Sequence, residues 1–181
     1  MSREEKHMGR EADEELVAAL ADAHAMEKQS LTMLQAAVKV AGDPQLEALY
    51  RGHIAETERH IELIEERLEA HDGGRSMLKD LAGRVSALVL GTGVIAQKHT
   101  PAKLVAVAYG YENFEVASYE FLRRLAERAR DAETVGAVDR ILVNERQAVE
   151  KLGASYDVAL KASGLIHDPA ETSLAAGGGG G

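Results

Sequence analysis

Residues 22–71 read DAHAMEKQSLTMLQAAVKVAGDPQLEALYRGHIAETERHIELIEERLEAH, and the periodicity of this stretch decides the fold. Leu16 and Leu20 just before it, then Ala23, Leu31, Leu34 and Val38, recur at three- and four-residue steps, with Glu27 on the same line. At about 100° per residue the whole set lies within roughly 40° of Glu27, as one buried helix face requires. The pattern stops at Ala41-Gly42-Asp43-Pro44, where Gly ends one helix, Asp caps the next and Pro takes its first position. A second stripe follows in Leu46, Leu49, His53, Glu56, His60, Leu63 and Ile64. So short a link makes the two helices an antiparallel hairpin.

The chain beyond repeats the design. Thr100-Pro101 opens a third helix, to about Arg130, with the stripe Val105, Ala108, Glu112, Glu115, Tyr119, Leu122 and Ala126. A fourth, from about Ala132 to Ala162, carries Val138, Ile141, Glu145, Ala148, Leu152 and Tyr156. Glu27 and Glu56 stand 29 positions apart, and Glu112 and Glu145 stand 33 apart. Two similar hairpins joined by a long crossover make an all-α, ferritin-like four-helix bundle. Within the crossover, Met77 to Leu90 is an amphipathic pattern that predicts an extra helix, broken at Gly91-Thr92-Gly93. The expected organisation is a flexible N-terminus over 1–12, the bundle over 13–162, and a disordered Gly-rich tail over 163–181.

Composition narrows the function. The 181 residues are 45% hydrophobic and 28% charged, with three prolines, which suits one soluble helical domain. A formal charge of −9 argues against a nucleic-acid partner. The absence of cysteine excludes disulfides and thiolate metal sites. The longest apolar run, Val85 to Ala96, is about half the ~20 residues that a membrane span needs. With no secretory h-region at the start, the expected location is cytoplasmic.

A carboxylate on a face that a helix buries is costly unless something pairs with it. Glu27, Glu56, Glu112 and Glu145 present that cost on four separate helices. The usual sink for converging carboxylates in such a bundle is a pair of metal ions. His53 and Glu56 are three apart, as are Glu112 and Glu115, so each pair can face one centre. Iron or manganese suits a carboxylate and imidazole set, and zinc is accepted by it. Gly91-Thr92-Gly93 lacks the strand context of a phosphate loop and reads as a helix break. Arg123, Arg124, Arg128 and Arg130 read as a solvated face balanced by Glu127, Asp131 and Glu133.

Four short motifs carry a resemblance to a known family. The segment at 22–71 resembles the first hairpin of the YciE/YciF-like family of ferritin-like bacterial stress proteins, with the element His53-Ile54-Ala55-Glu56-Thr57 intact. The third-helix stretch YENFEVASYEFLRRLAE is similar to the family's, keeping Glu112, Glu115 and Tyr119, and ILVNERQAVEKL keeps Glu145. The resemblance spans roughly residues 13 to 160 and implies metal ligands at Glu27, His53, Glu56, Glu112, Glu115 and Glu145. It implies a role in stress response, and two redox-cycling ions at such a centre, iron first, make a ferroxidase- or peroxidase-like reaction with dioxygen or peroxide chemically available. Position 148, where a histidine would complete a Glu-x-x-His pair with Glu145, is alanine.

His60 is assigned to packing or support of the ligands, and His24 to the margin of its stripe. Tyr119 is expected to hydrogen-bond a ligand carboxylate, and Tyr109 and Tyr111 to pack in the bundle. A homodimer is expected, with the crossover helix covering the bundle or joining subunits. The alternative is a non-catalytic bundle that acts through association, with a structural metal or none.

Overall fold

A computed structural model describes residues 3–71 and 100–166. Helix α1 spans Arg3–Lys39, α2 Pro44–Ala70, α3 Thr100–Ala129, α4 Ala132–Ala154 and α5 Tyr156–Ala162. The crossover pattern at Met77–Leu90, its Gly91-Thr92-Gly93 break and the glycines at the end lie outside the described residues.

The first hairpin forms as its turn chemistry dictates. Gly42 takes φ +69, a conformation that a side chain would strain. Asp43 then caps α2, its carboxylate accepting from the Gln45 N–H at 2.7 Å and the Leu46 N–H at 3.4 Å. The turn between α3 and α4 solves the same problem without glycine. Arg130 adopts φ 61, and the Asp131 and Arg130 N–H groups donate back to the Ala126 and Glu127 carbonyls. This is the Schellman closure that normally recruits glycine. Asp131 also caps α4, accepting from the Glu133 and Thr134 N–H groups.

Contacts at the two ends fix the topology. His71, after α2, lies between Asp13 of α1 (2.8 Å) and Asp131 of the α3–α4 turn (3.0 Å). At the opposite end, the α1–α2 turn at Gly42 abuts Pro101 and Ala162. Thus α2 finishes at one end of the bundle and α3 starts at the other. His71 and Thr100 therefore stand about a helix length apart, roughly 40 Å for a helix of this size. Helices α1 and α3 pack together, as do α2 and α4.

Three boundaries differ from the sequence expectation. Helix α1 begins at Arg3 rather than near Asp13, and the pairs His7–Glu11 (3.6 Å) and Arg10–Glu14 (3.5 Å) support this polar extension. The fourth helix breaks at Ser155, whose hydroxyl donates to the Leu152 carbonyl at 2.8 Å. Tyr109 lies beside Gly153 and meets Tyr156 edge-on at 6.2 Å. Ser163, placed at the start of the tail, accepts from the Ala102 N–H at 3.0 Å and so closes the first turn of α3.

The buried face of α2 is also rotated. Tyr50, Thr57 and Leu68 join Leu46, His53, His60 and Ile64 in the core, where the sequence stripe put Leu49, Glu56 and Leu63. The stripes of α3 and α4 are buried as expected through Ala126 and Leu152. Apolar layers at both ends, such as Leu16, Leu20, Ile64 and Leu68 at one and Leu34, Leu46, Leu104 and Leu152 at the other, enclose a polar middle.

One end is tied by charge. Arg67 donates to Thr134 Oγ1 at 3.0 Å and to Glu133 at 2.5 Å, and lies 3.3 Å from Asp131. Burial works against the Asp131 carboxylate, yet Thr134, His71 and Arg67 outweigh it and hold its pKa at about 2. Replacing Arg67 by methionine is expected to lower stability by about 2 kcal/mol in urea unfolding, because Thr134 and Asp131 lose a buried donor. An unchanged midpoint would show that the knot contributes nothing.

Candidate metal centre

The polar middle is built by one or two side chains from each long helix. Glu27 of α1, Glu112 and Glu115 of α3 and Glu145 of α4 are all 0% exposed, an extreme value for a carboxylate. From α2 come His53 and His60, also buried. They are seven residues apart, two helical turns, and therefore project only about 20° from one another.

Each imidazole is held from outside and points inward. The Nε2 of His60 lies 3.2 Å from the Asn144 side-chain oxygen, and its Nδ1 is 2.9 Å from Glu145 and 3.3 Å from Glu27. The Nδ1 of His53 lies 3.2 Å from Glu56, and its Nε2 is 3.0 Å from Glu112 and 3.9 Å from Glu145. Anchoring one ring nitrogen while aiming the other at the centre is how metal-binding histidines are oriented. The Tyr119 hydroxyl donates to Glu27, as the sequence suggested, and the Tyr111 hydroxyl donates to the Met26 carbonyl at 3.1 Å.

Two groups of these residues could each hold an ion. One ligand atom from each of His53, Glu112, Glu115 and Glu145 lies within 4.8 Å of the others, and the same holds for Glu27, His60 and Glu145. Glu145 belongs to both groups. Apart from the two imidazoles and the Tyr119 hydroxyl, no further N–H or hydroxyl donor among the described residues reaches the buried carboxylate oxygens of Glu27, Glu112, Glu115 and Glu145. Among the ion pairs of the described residues, none brings a lysine or arginine to these four glutamates.

Of the six residues singled out from the sequence, the structure brings five together: Glu27, His53, Glu112, Glu115 and Glu145. Glu56 stands outside that cluster. It grips the outer nitrogen of His53, pairs with Lys151 at 3.5 Å and is partly exposed. The reason is angular. Glu56 projects about 60° from His53, on the side away from Thr57 and Ile64, whereas His60 projects with His53. That seven-residue repeat was the signal that favours His60. His24, placed at the margin of its stripe, is buried, with its Nε2 at 2.8 Å from Glu65.

Crowding four carboxylates in a dry space changes their proton affinity. Burial drives Glu115 well above the usual range, reinforced by Glu112 and Glu27. Burial raises Glu145 to about 7 against the opposing pull of His60, and Glu27 is raised by burial too. Burial alone would pull His53 down, but its hydrogen bonds to Glu112 and Glu56 outweigh this and set it at about 10. The same balance, through Glu145 and Glu27, sets His60 at about 10. The ion-free centre therefore gathers protons where cations would stand.

The sequence model of the family described as a domain of unknown function (DUF892) matches residues 11–162, most of the chain. The chain belongs to the DUF892 family. This is the YciE/YciF-like family that the motifs resemble. Two crystal structures share its fold. A protein (XCC3681) from Xanthomonas campestris pv. campestris is 25% identical with a TM-score of 0.63, over 84% of this chain and 94% of that one. The E. coli stress protein YciF is 22% identical with a TM-score of 0.65, over 83% of this chain and 96% of that one. The DUF892 chain is accordingly a ferritin-like helical bundle, and its buried His and Glu cluster has the composition of a metal site.

Proposed function

We propose that this DUF892 protein holds two metal ions, iron foremost, at the centre of its bundle and serves a stress response, as the description of YciF suggests. One observation carries the metal reading: four fully buried carboxylates converge, met by two imidazoles and a tyrosine hydroxyl, with no lysine or arginine among the described residues to balance them. Without metal, protonated His53 and His60 and the protons held by Glu115 and Glu145 would balance the centre, and metal ions would take the place of those protons. His53, Glu112, Glu115 and Glu145 would hold one ion, and Glu27, His60 and Glu145 the other. Glu56 we assign to orienting His53. Manganese and zinc fit the same donors.

Two redox-active ions, when bound, would exchange one electron each with dioxygen or peroxide, which is the basis of a ferroxidase- or peroxidase-like activity. The chain itself contributes orientation and dryness. Asn144 and Glu56 set the two rings, Tyr119 steadies Glu27, and the apolar layers above and below exclude bulk water. A cytoplasmic location fits this reading. No helix among the described residues is long and apolar enough to cross a membrane.

Metal analysis after gentle purification is expected to return about two equivalents, the count that this class of bundle core accommodates. Because ligands must shed protons to bind, loading at pH 7 should release roughly two protons or more. Titration calorimetry in two buffers of different ionisation heat measures that release. A heat independent of buffer would count against the proposed centre. Anaerobic ferrous loading followed by oxygen or peroxide tests turnover, and an unchanged ferric absorbance would reject it.

A further inference from the structure

A cavity of about 160 Å³ opens between α2 and α4 beside the centre, lined by Tyr50, His53, Glu56, Ala148, Lys151 and Leu152 among others. Its inner end reaches His53, while Lys151, about half exposed, stands at the mouth beside Glu56. Ala148 lies one turn after Glu145, at the position where a Glu-x-x-His pair would place an imidazole. A methyl group there leaves space where a ring would otherwise stand.

Size and polarity indicate what fits. An apolar cavity of about 150 Å³ accepts a benzene-sized guest, so this space exceeds the needs of dioxygen or hydrogen peroxide. The walls from Leu34, Leu49, Ala148 and Leu152 are apolar. Tyr50 is 0% exposed, and its hydroxyl has no hydrogen-bond partner, an unfavourable state for a buried donor. Burial pushes that phenol up to about 12, so it remains a donor at ordinary pH. Glu56 stands at the mouth, its oxygens engaged by His53 and Lys151, and the carboxylates behind His53 disfavour an anion.

We infer that this cavity binds a small, neutral, mainly apolar organic molecule bearing one hydroxyl or hydroperoxyl group. Its oxygen accepts from the Tyr50 hydroxyl. As the organic substrate pocket of the centre, this inference rests on the metal reading above; the binding itself rests on the cavity alone.

Phenol and benzene serve as probes of the full-length protein, after chelator treatment and again after metal loading, followed by amide chemical shifts. Phenol should saturate, with shifts centred on Tyr50, Gly52, His53 and Ala148, and bind about tenfold tighter than benzene, as one good hydrogen bond provides. Tyr50→Phe should abolish that preference while leaving benzene binding intact. Ala148→Leu should weaken both probes at least tenfold and leave metal stoichiometry unchanged. Should Ala148→Leu not fold, the Tyr50→Phe comparison decides. Absence of saturable binding, or a phenol preference that survives Tyr50→Phe, overturns the inference. The two readings separate cleanly. Phenol binding by a protein that takes up no metal leaves the cavity standing and removes the centre, while metal loading without phenol binding does the reverse.

Discussion

Glu145→Gln is expected to remove metal binding while leaving the metal-free protein at least as stable as its parent at pH 8. Glu145 is the residue common to both groups of candidate ligands, so its loss should damage both positions. A single lost ligand should weaken affinity on the order of a hundredfold, since even the outer partners of ligands contribute 10- to 100-fold. At a metal concentration near a hundred times Kd, binding stabilises the parent by about 2.7 kcal/mol. For a domain of this size that is roughly a 5–10 °C rise in Tm. A hundredfold weaker site would leave a rise too small to separate from scatter. Meanwhile burial holds the Glu145 carboxyl at about 7, so ionising it at pH 8 works against the fold, and a neutral amide of the same shape relieves that strain. Thermal melts of both proteins with chelator and with metal check both halves. An equal metal-induced rise in the variant would falsify the assignment of Glu145.

The metal-free protein should also lose stability as pH rises from 5 to 10, a loss that bound metal should offset. Glu27, Glu115 and Glu145 have raised pKa values in the fold, Glu145 at about 7, and His53 and His60 are raised to about 10. Between the ordinary carboxylate range and about 10, the native state binds more protons than the unfolded chain. Stability then falls with pH by about 1.4 kcal/mol per pH unit for each excess proton. The contribution is fully present below the unfolded carboxylate pKa and is lost as pH climbs through the folded values. At the acidic side the sign reverses, because Asp131 is held at about 2 and Glu56 is lowered by its hydrogen bond to His53. Their contributions exist above the usual carboxylate range and vanish as pH falls. Maximal stability of the chelated protein should therefore lie near pH 5. Metal ions compete with the same protons, so their added stabilisation should grow with pH. Parallel Tm curves with and without metal would exclude this linkage.

Much of the site was legible in the primary structure because helical periodicity is local. Glu27, Glu112 and Glu145 sit at the centres of apolar stripes, and a carboxylate there is conspicuous without any knowledge of its neighbours. Glu115, three residues after Glu112, follows from the same geometry. The turn chemistry of Gly42, Asp43 and Pro44 is equally local, and it alone specified the first hairpin. What periodicity could not supply was the rotation of α2. Glu56 and His60 both lie within the width of a plausible stripe, and a shift of about 40° exchanges their places. That angle is set by the packing of Tyr50, Thr57 and Leu68 against the other helices, and within α2 only the seven-residue repeat of His53 and His60 hints at it.

The sequence by itself determined four long helices, their pairing into two hairpins and a carboxylate on the buried faces of the first, third and fourth, since each depends on steps of three or four residues and on turns of a few. Only the tertiary structure decided that His60 faces the centre while Glu56 supports His53, that Asn144 and Glu56 aim the two rings, and that Glu145 joins both groups. Those facts depend on distances between helices more than eighty residues apart in the chain, such as His60 and Asn144. The cavity left by Ala148 belongs to the same class. One alanine reads as ordinary core in the sequence, and becomes an opening only where Tyr50, His53 and Leu152 surround it.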